Sequence, residues 1–192
     1  MSDFSEAGYL RISELFDKET ILLVSEYFEN KLARGEINIK NEVVSDDEAT
    51  GINYYADPLV EALLKKATPF VSKTVGESLL PTYSFFRVYR PGEKLSKHTD
   101  RPSCEISVTV SVAYTGEPNK IYMQAEGKKE SVFTLNPGDG VIYKGCDITH
   151  WREPLKEGQL VVQFMLHYVK ENGPNSHLIF DERPRLGASS CR

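Results

Sequence analysis

Chemistry enters this chain through His98-Thr99-Asp100 and, much further along, through His150 in the run Asp147-Ile148-Thr149-His150-Trp151-Arg152. Two imidazoles and one carboxylate form the facial donor set that holds non-haem Fe(II) and leaves the remaining positions open. In an extended segment the side chains at i and i+2 point the same way, so His98 and Asp100 can grip one ion from one strand end. The third ligand must then arrive from a distant strand folded alongside. The chain has four histidines. Two fall where this arrangement needs them, and His167 and His177 are left over.

The elements that must position these residues are legible in the periodicity. Asp17 can cap a helix running through Ile21, Leu22, Val24, Tyr27, Phe28 and Leu32 and ending near Gly35. Asp57-Pro58 is a cap followed by proline at the first helical position. It opens a second helix with the stripe Leu59, Leu63, Leu64, Ala67, Phe70, Val71 and Val75. Pro69 predicts a kink or interruption, and Gly76 a stop. Residues 36–56 show no period. Within them 41–48 reads as a strand or loop edge running into an acidic turn, and the whole segment reads as a connecting loop, with a lid as the alternative.

From Pro81 onward the pattern changes to strands. Residues 82–90 are rich in aromatics and valine. Along 105–114, Ile106, Val108, Val110 and Val112 alternate with Ser107, Thr109, Ser111 and Ala113. Shorter strands are expected at 121–125, 131–135 and 141–143, and a long one at 159–169, separated by Pro-Gly, Asn-Pro-Gly-Asp-Gly and Glu-Gly turns. Helices followed by a run of short antiparallel strands predict an α+β, mainly β fold. The expected architecture is a jelly roll, two sheets closed into a flattened barrel, with the helices packed on one sheet. One domain spanning 1–192 accounts for the length: helical to about 80, jelly roll over 81–170, and a loop-like tail over 171–192 that frays from Gly187.

Composition narrows the setting. The net charge of −5 argues against a nucleic-acid partner, which would feed on a positive footprint. No apolar run approaches a membrane span. The first residues lack a signal peptide's basic and apolar regions. Three cysteines, Cys104, Cys146 and Cys191, offer no disulfide framework and fit a reducing cytoplasm.

The stretch from Tyr89-Arg90-Pro91-Gly92 to His98-Thr99-Asp100, the alternating strand after it, and Asn136-Pro137-Gly138-Asp139-Gly140 leading to His150 together resemble the Fe(II)- and 2-oxoglutarate-dependent oxygenases. The likeness is to their prolyl-hydroxylase-like branch and spans roughly 81–170. It implies a double-stranded β-helix, a cupin-like jelly roll with the metal at its open end, and Fe(II), 2-oxoglutarate and O2 as cofactors, with ascorbate as a candidate stimulant. It also implies oxidative decarboxylation to succinate and CO2, coupled to hydroxylation of an unactivated C–H bond. Cofactor and metal would carry the hard chemistry, and the protein would position them.

One departure matters. In that family a basic residue two positions after a glycine, on the strand following the distal histidine, commonly clamps the far carboxylate of 2-oxoglutarate. Here the glycine is Gly158 and the position is Leu160, and 160–167 contains no Arg or Lys. Arg152 is the first replacement, because it shares a strand face with His150 and a guanidinium binds carboxylate in bidentate fashion. Its bland reading is an ion pair with Glu153 or a solvated surface arginine. Gln163 and His167, on one face of the last long strand, suit a wet pocket or solvent equally. Tyr89 is a further candidate by analogy with the family's tyrosine, or else a core-edge aromatic. Arg101 would sit at the pocket rim and touch substrate, pair with Glu105 or support Asp100.

The expected function is hydroxylation of a small molecule or a peptidyl side chain. The alternatives are a cupin-like metalloenzyme that does not use 2-oxoglutarate and a non-catalytic metal-binding module. The oligomeric state does not follow from the sequence.

Overall fold

A computed structural model describes residues 3–36, 52–118 and 120–188. The 41–48 edge, most of the 36–56 segment, Cys191 and the last residues of the tail lie outside them. Among the described residues three helices, α1 (Asp3–Ala7), α2 (Lys18–Ala33) and α3 (Pro58–Val75), accompany ten strands. The strands are β1 (Tyr9–Ile12), β2 (Ile52–Tyr55), β3 (Leu79–Tyr89), β4 (Leu95–His98), β5 (Ile106–Thr115), β6 (Lys120–Gln124), β7 (Ser131–Thr134), β8 (Gly140–Lys144), β9 (Thr149–Arg152) and β10 (Leu160–Lys170). A six-stranded sheet runs β1-β8-β5-β10-β3-β2 and a four-stranded sheet runs β4-β9-β6-β7. Every pairing is antiparallel. This is the expected double-stranded β-helix with helices on one sheet.

The helices form where their caps say they should. The Asp17 carboxylate accepts from the Thr20 N–H at 2.8 Å. Asp57 accepts from the N–H groups of Leu59 and Val60, Pro58 sits in the first turn, and Gly76 closes the helix at φ 80°. Only part of each apolar list faces inward. In α2, Ile21, Val24 and Phe28 are buried, whereas Leu22 and Leu32 are exposed. In α3, Phe70 is exposed while Val60, Leu63, Leu64, Ala67 and Val71 are buried. Pro69 does not interrupt α3, which is one element to Val75. Pro69 and Lys65 lie on the solvent face, so the Lys65 carbonyl left without its N–H partner can be hydrated.

The two faces of the large sheet differ in kind. Its outer face carries Phe86, Val88, Ile106, Val108, Val110, Val112, Phe164, Leu166 and Tyr168, and these pack on the helices as one core. Its inner face carries Ser107, Thr109, Ser111, Arg87, Gln163 and His167, all buried although polar. The alternation in β5 therefore separates an apolar core from buried polar residues on the inner face, beside which Val141 and Tyr143 of β8 pack with Ile121 and Met123 of the small sheet.

The stretch after Lys170 departs from its loop-like reading. Short 3-10 turns fall within Ser176–Glu182, with Ile179, Phe180 and Asp181 out of helical geometry between them. Asp181 and Arg183 are buried. The Arg183 guanidinium donates to Glu61 Oε1 at 2.5 Å and to the Thr82 carbonyl at 3.0 Å, which ties the tail to α3 and β3. Its anchors are charged, so hydrophobic periodicity could not announce them.

Asp57 does double duty, since Lys31 Nζ of α2 meets its Oδ2 at 2.9 Å in a site where the Asp57 side chain is fully buried. Asp57→Ala removes a helix cap and leaves a buried ammonium without its carboxylate. The expected loss is about 3–5 kcal/mol, read as a fall in the urea midpoint. A change of a few tenths would show that water replaces the carboxylate.

Candidate metal centre

β4 and β9 pair so that His98 stands directly across from His150. Their ring centroids are 4.3 Å apart. Asp100 follows the end of β4, where its N–H donates to the Gly145 carbonyl at 2.8 Å. Its Oδ1 lies 3.7 Å from His98 Nε2 and 3.5 Å from His150 Nε2. One donor atom from each residue thus falls within a 4.8 Å cluster that can hold a metal ion.

Hydrogen bonds fix which atoms face the ion. His98 Nδ1 lies 2.8 Å from the Ser96 carbonyl, and His150 Nδ1 lies 3.0 Å from the Ile148 carbonyl. A carbonyl only accepts, so each Nδ1 carries the hydrogen and each Nε2 keeps its lone pair for the metal. Burial pushes the His150 imidazole below its ordinary range, which keeps it neutral although Asp100 pulls the other way. His98 is the more accessible ligand, with 29% of its side chain exposed, so the centre opens on that side.

Arg152 is buried beside this cluster, as its parity with His150 requires. Its Nη2 donates to Gln163 Oε1 at 2.5 Å. The guanidinium carbon stands 5.8 Å from the Tyr89 ring centroid. Arg152, Gln163 and Tyr89, three of the four residues read as co-substrate candidates, therefore meet. Arg152 does not form the surface ion pair with Glu153, which instead accepts from the Trp151 indole N–H.

The fourth candidate, His167, shares the inner face of the large sheet with Gln163 but turns toward Asp100, with Nδ1 2.9 Å from Ser107 Oγ. Burial pushes its imidazole down to about 4. Arg101 is at the rim, 45% exposed in its side chain. Its ion pair is with Asp181 at 2.9 Å and not with Glu105, and its Nε reaches Tyr83 Oη at 3.4 Å. Asp181 also accepts from Tyr55 Oη at 2.5 Å.

Sequence reasoning missed Arg87. It stacks its guanidinium 4.4 Å from the Tyr89 ring centroid and faces Gln163 across the β3–β10 ladder. It is the one charged residue in the eleven of β3, and that is the signal that could have found it. Among the described residues no carboxylate pairs with Arg87 or Arg152. Arg87 Nε and Nη2, Arg152 Nε and Tyr89 Oη are buried without a hydrogen-bond partner. Burial pushes Arg152 down from its ordinary value, and Arg87 adds like-charge repulsion. Two buried guanidiniums with idle donors form a site for an anion, because an uncompensated buried charge is expensive.

No family model matches the chain, and no curated protein does. Solved structures do. The non-heme alpha ketoglutarate dependent epimerase SnoN from nogalamycin biosynthesis aligns over 98% of this chain and 88% of its own, with a TM-score of 0.72 at 12% identity. A Pseudomonas putida prolyl-4-hydroxylase aligns over 88% of this chain and 95% of its own, with a TM-score of 0.67 at 13% identity. The viral collagen prolyl hydroxylase of Paramecium Bursaria Chlorella virus-1, solved as its 2OG complex, aligns over 87% and 99%, with a TM-score of 0.63 at 12% identity. The chain has the fold of the 2OG-Fe(II) oxygenases. Its histidines and aspartate stand together in that fold as a candidate metal site. Among the described residues no helix is long and apolar enough to cross a membrane.

The site also depends on Gly145. A Cβ there would lie 2.6 Å from Asp100 Oδ2, 2.9 Å from Ser107 Oγ and against the Cys104 carbonyl. Gly145→Ala is therefore expected to press on Asp100. Metal affinity, measured by titration with Co(II), is expected to fall about tenfold to a hundredfold, as it would on loss of a group that orients a ligand. The far-ultraviolet circular dichroism should be unchanged. Wild-type affinity would mean that the loop carrying Gly145 yields without moving the carboxylate.

Proposed function

We propose that this protein is an Fe(II)- and 2-oxoglutarate-dependent dioxygenase. It hydroxylates a C–H bond of a small molecule or a peptidyl side chain and releases succinate and CO2. The observation that carries this reading is the pair of buried arginines beside the triad, with donors that no described residue satisfies. The far carboxylate of 2-oxoglutarate fits them. It would accept from Arg87, Arg152 and Tyr89, and it would neutralise charge that the fold otherwise buries at a cost. Residues i and i+2 on a strand are about 6.6 Å apart. Arg152 thus stands from His150 at the scale of a five-carbon dicarboxylate. The two guanidiniums answer the absence of a basic residue at Leu160.

His98, Asp100 and His150 would hold the iron through Nε2, Oδ1 and Nε2. Bound iron and 2-oxoglutarate supply the oxidising power for attack on an unactivated C–H bond. The protein's own share is placement. Gln163 holds the Arg152 guanidinium in plane. Tyr89 backs both arginines with its ring. The apolar group Leu95, Leu155 and Val161 packs around Tyr89 and keeps bulk water from the carboxylate end. Arg101, held by Asp181 and by the Tyr83 hydroxyl at the open side of the centre, would meet the substrate. Hydroxylation is the outcome proposed here, although related folds also serve an epimerase. A small-molecule substrate has a precedent in SnoN, solved in complex with nogalamycin RO.

An anaerobic visible spectrum tests the reading without knowledge of the substrate. Addition of 2-oxoglutarate to the Fe(II) protein is expected to raise a metal-to-ligand charge-transfer band, absent in Asp100→Ala. Iron binding without that band would favour a cupin-like metalloenzyme of another kind. Arg87→Gln and Arg152→Gln should each raise the 2-oxoglutarate concentration needed for half the band by about tenfold to a hundredfold. That range corresponds to about 1.5–3 kcal/mol for a charge-assisted hydrogen bond. Fe(II) affinity should stay the same in both. If either substitution leaves the titration unmoved, that arginine is structural.

A further inference from the structure

A second set of donor atoms, from Asp100, Cys104 and His167, also lies within 4.8 Å. Its hydrogen bonds describe a chain instead of a metal site. The Cys104 thiol is fully buried, pushed up by that burial and 3.0 Å from the Tyr83 hydroxyl, so it offers no thiolate. Between the other two stands Ser107 Oγ, 2.7 Å from Asp100 Oδ2 and 2.9 Å from His167 Nδ1. Ser107 itself is fully buried.

The direction of this chain follows from its end. A carboxylate only accepts, and a serine hydroxyl has one hydrogen. Were that hydrogen given to His167, the oxygens of Ser107 and Asp100 would face each other at 2.7 Å with lone pairs only. The hydrogen therefore goes to Asp100 Oδ2, where the charge of the carboxylate makes it a stronger acceptor than the Cys104 carbonyl at 3.3 Å or the neutral Tyr143 hydroxyl. Ser107 Oγ is then free to accept, and His167 Nδ1–H must donate. The consequence for Asp100 is a division of labour. Oδ1 faces both imidazole Nε2 atoms, and Oδ2 is claimed by Ser107.

We propose that His167, acting through Ser107, is a positioning residue that restricts Asp100 to one-oxygen ligation of the metal. The inference rests on the triad reading given above. A carboxylate free to turn would chelate with both oxygens and consume a coordination position. With Oδ2 held, a six-coordinate ion keeps three positions after His98, Asp100 and His150, enough for a chelating keto acid and one further ligand. The arrangement also explains a histidine on the inner face of β10 that meets neither Arg152 nor Gln163.

Co(II) titration of the intact protein, followed by visible absorption, tests this apart from any turnover. Ser107→Ala and His167→Phe are expected to weaken Co(II) binding about tenfold to a hundredfold, the usual effect of losing a group that orients a ligand. Their bands should also differ in position from the wild type's, because a second carboxylate oxygen would replace another ligand on the ion. His167→Asn places an amide N–H where Nδ1–H stood, so it should keep both the wild-type affinity and the wild-type spectrum. The double variant Ser107→Ala/His167→Phe should bind no more weakly than Ser107→Ala alone, since His167 acts through Ser107. If both single variants keep the wild-type affinity and spectrum, the relay is overturned and the triad stands. If His167→Asn fails as His167→Phe does while its unfolding midpoint is unchanged, the hydrogen-bond role of His167 is overturned. A wild-type protein that binds no Co(II) would overturn the triad and the relay together.

Discussion

The constraint on which this structure depends is that many polar groups are buried between its two sheets. Hydrogen-bonding groups taken out of water must find partners inside, and charges must find counter-charges. The inner face of the large sheet presents serines, a threonine, a glutamine, a histidine and an arginine to that space. Satisfying them leaves few arrangements. Backbone carbonyls fix the tautomers of His98 and His150, Ser107 takes one oxygen of Asp100, and Gln163 takes one nitrogen of Arg152. What stays unsatisfied is therefore informative: the lone pairs that converge between three ligands, and the donors of two arginines with no described carboxylate near them.

Stability comes from the other side of the same sheet. Its outer face is largely apolar and packs on α2 and α3, where Phe28 stacks on Phe86 with centroids 3.4 Å apart. This division lets the inner face remain polar without unfolding the protein, because burial of the outer face drives the sheet and helices together. The tail contributes through charge. Glu61 of α3 receives Arg183, and Asp181 receives Tyr55 and Arg101. Three successive residues there, Phe180, Asp181 and Glu182, hold positive φ, a strained conformation for side chains of their size. The ion pairs at either side hold the strap in place at the rim of the metal centre.

The sequence alone determined the donor set and most of the elements. His98 ends β4 and Asp100 lies two residues on, so a common side was expected from a period of two. Caps at Asp17 and Asp57 and the stop at Gly76 are local hydrogen-bonding preferences, readable within a few residues. The long strands followed from alternation. The four-residue strands β1 and β2 escaped, since four residues carry too little periodicity to distinguish from loop. Pro69 does not interrupt α3, since the freed carbonyl lies on the solvent face, and that exposure is decided by packing.

Tertiary structure decided everything that depends on one strand's neighbour. Only the β4–β9 register could set His150 opposite His98. Only the β3–β10 ladder could bring Arg87 to Gln163 and thereby to Arg152, residues separated by most of the jelly roll. His167 and Gln163 share a face by parity, yet one serves Asp100 and the other Arg152, because β5 places Ser107 at one end of that face and Ser111 at the other. Parity along a strand is a property of the chain. Which group stands across the ladder, and hence which polar atoms are satisfied and which stay free for an anion, is a property of the closed pair of sheets.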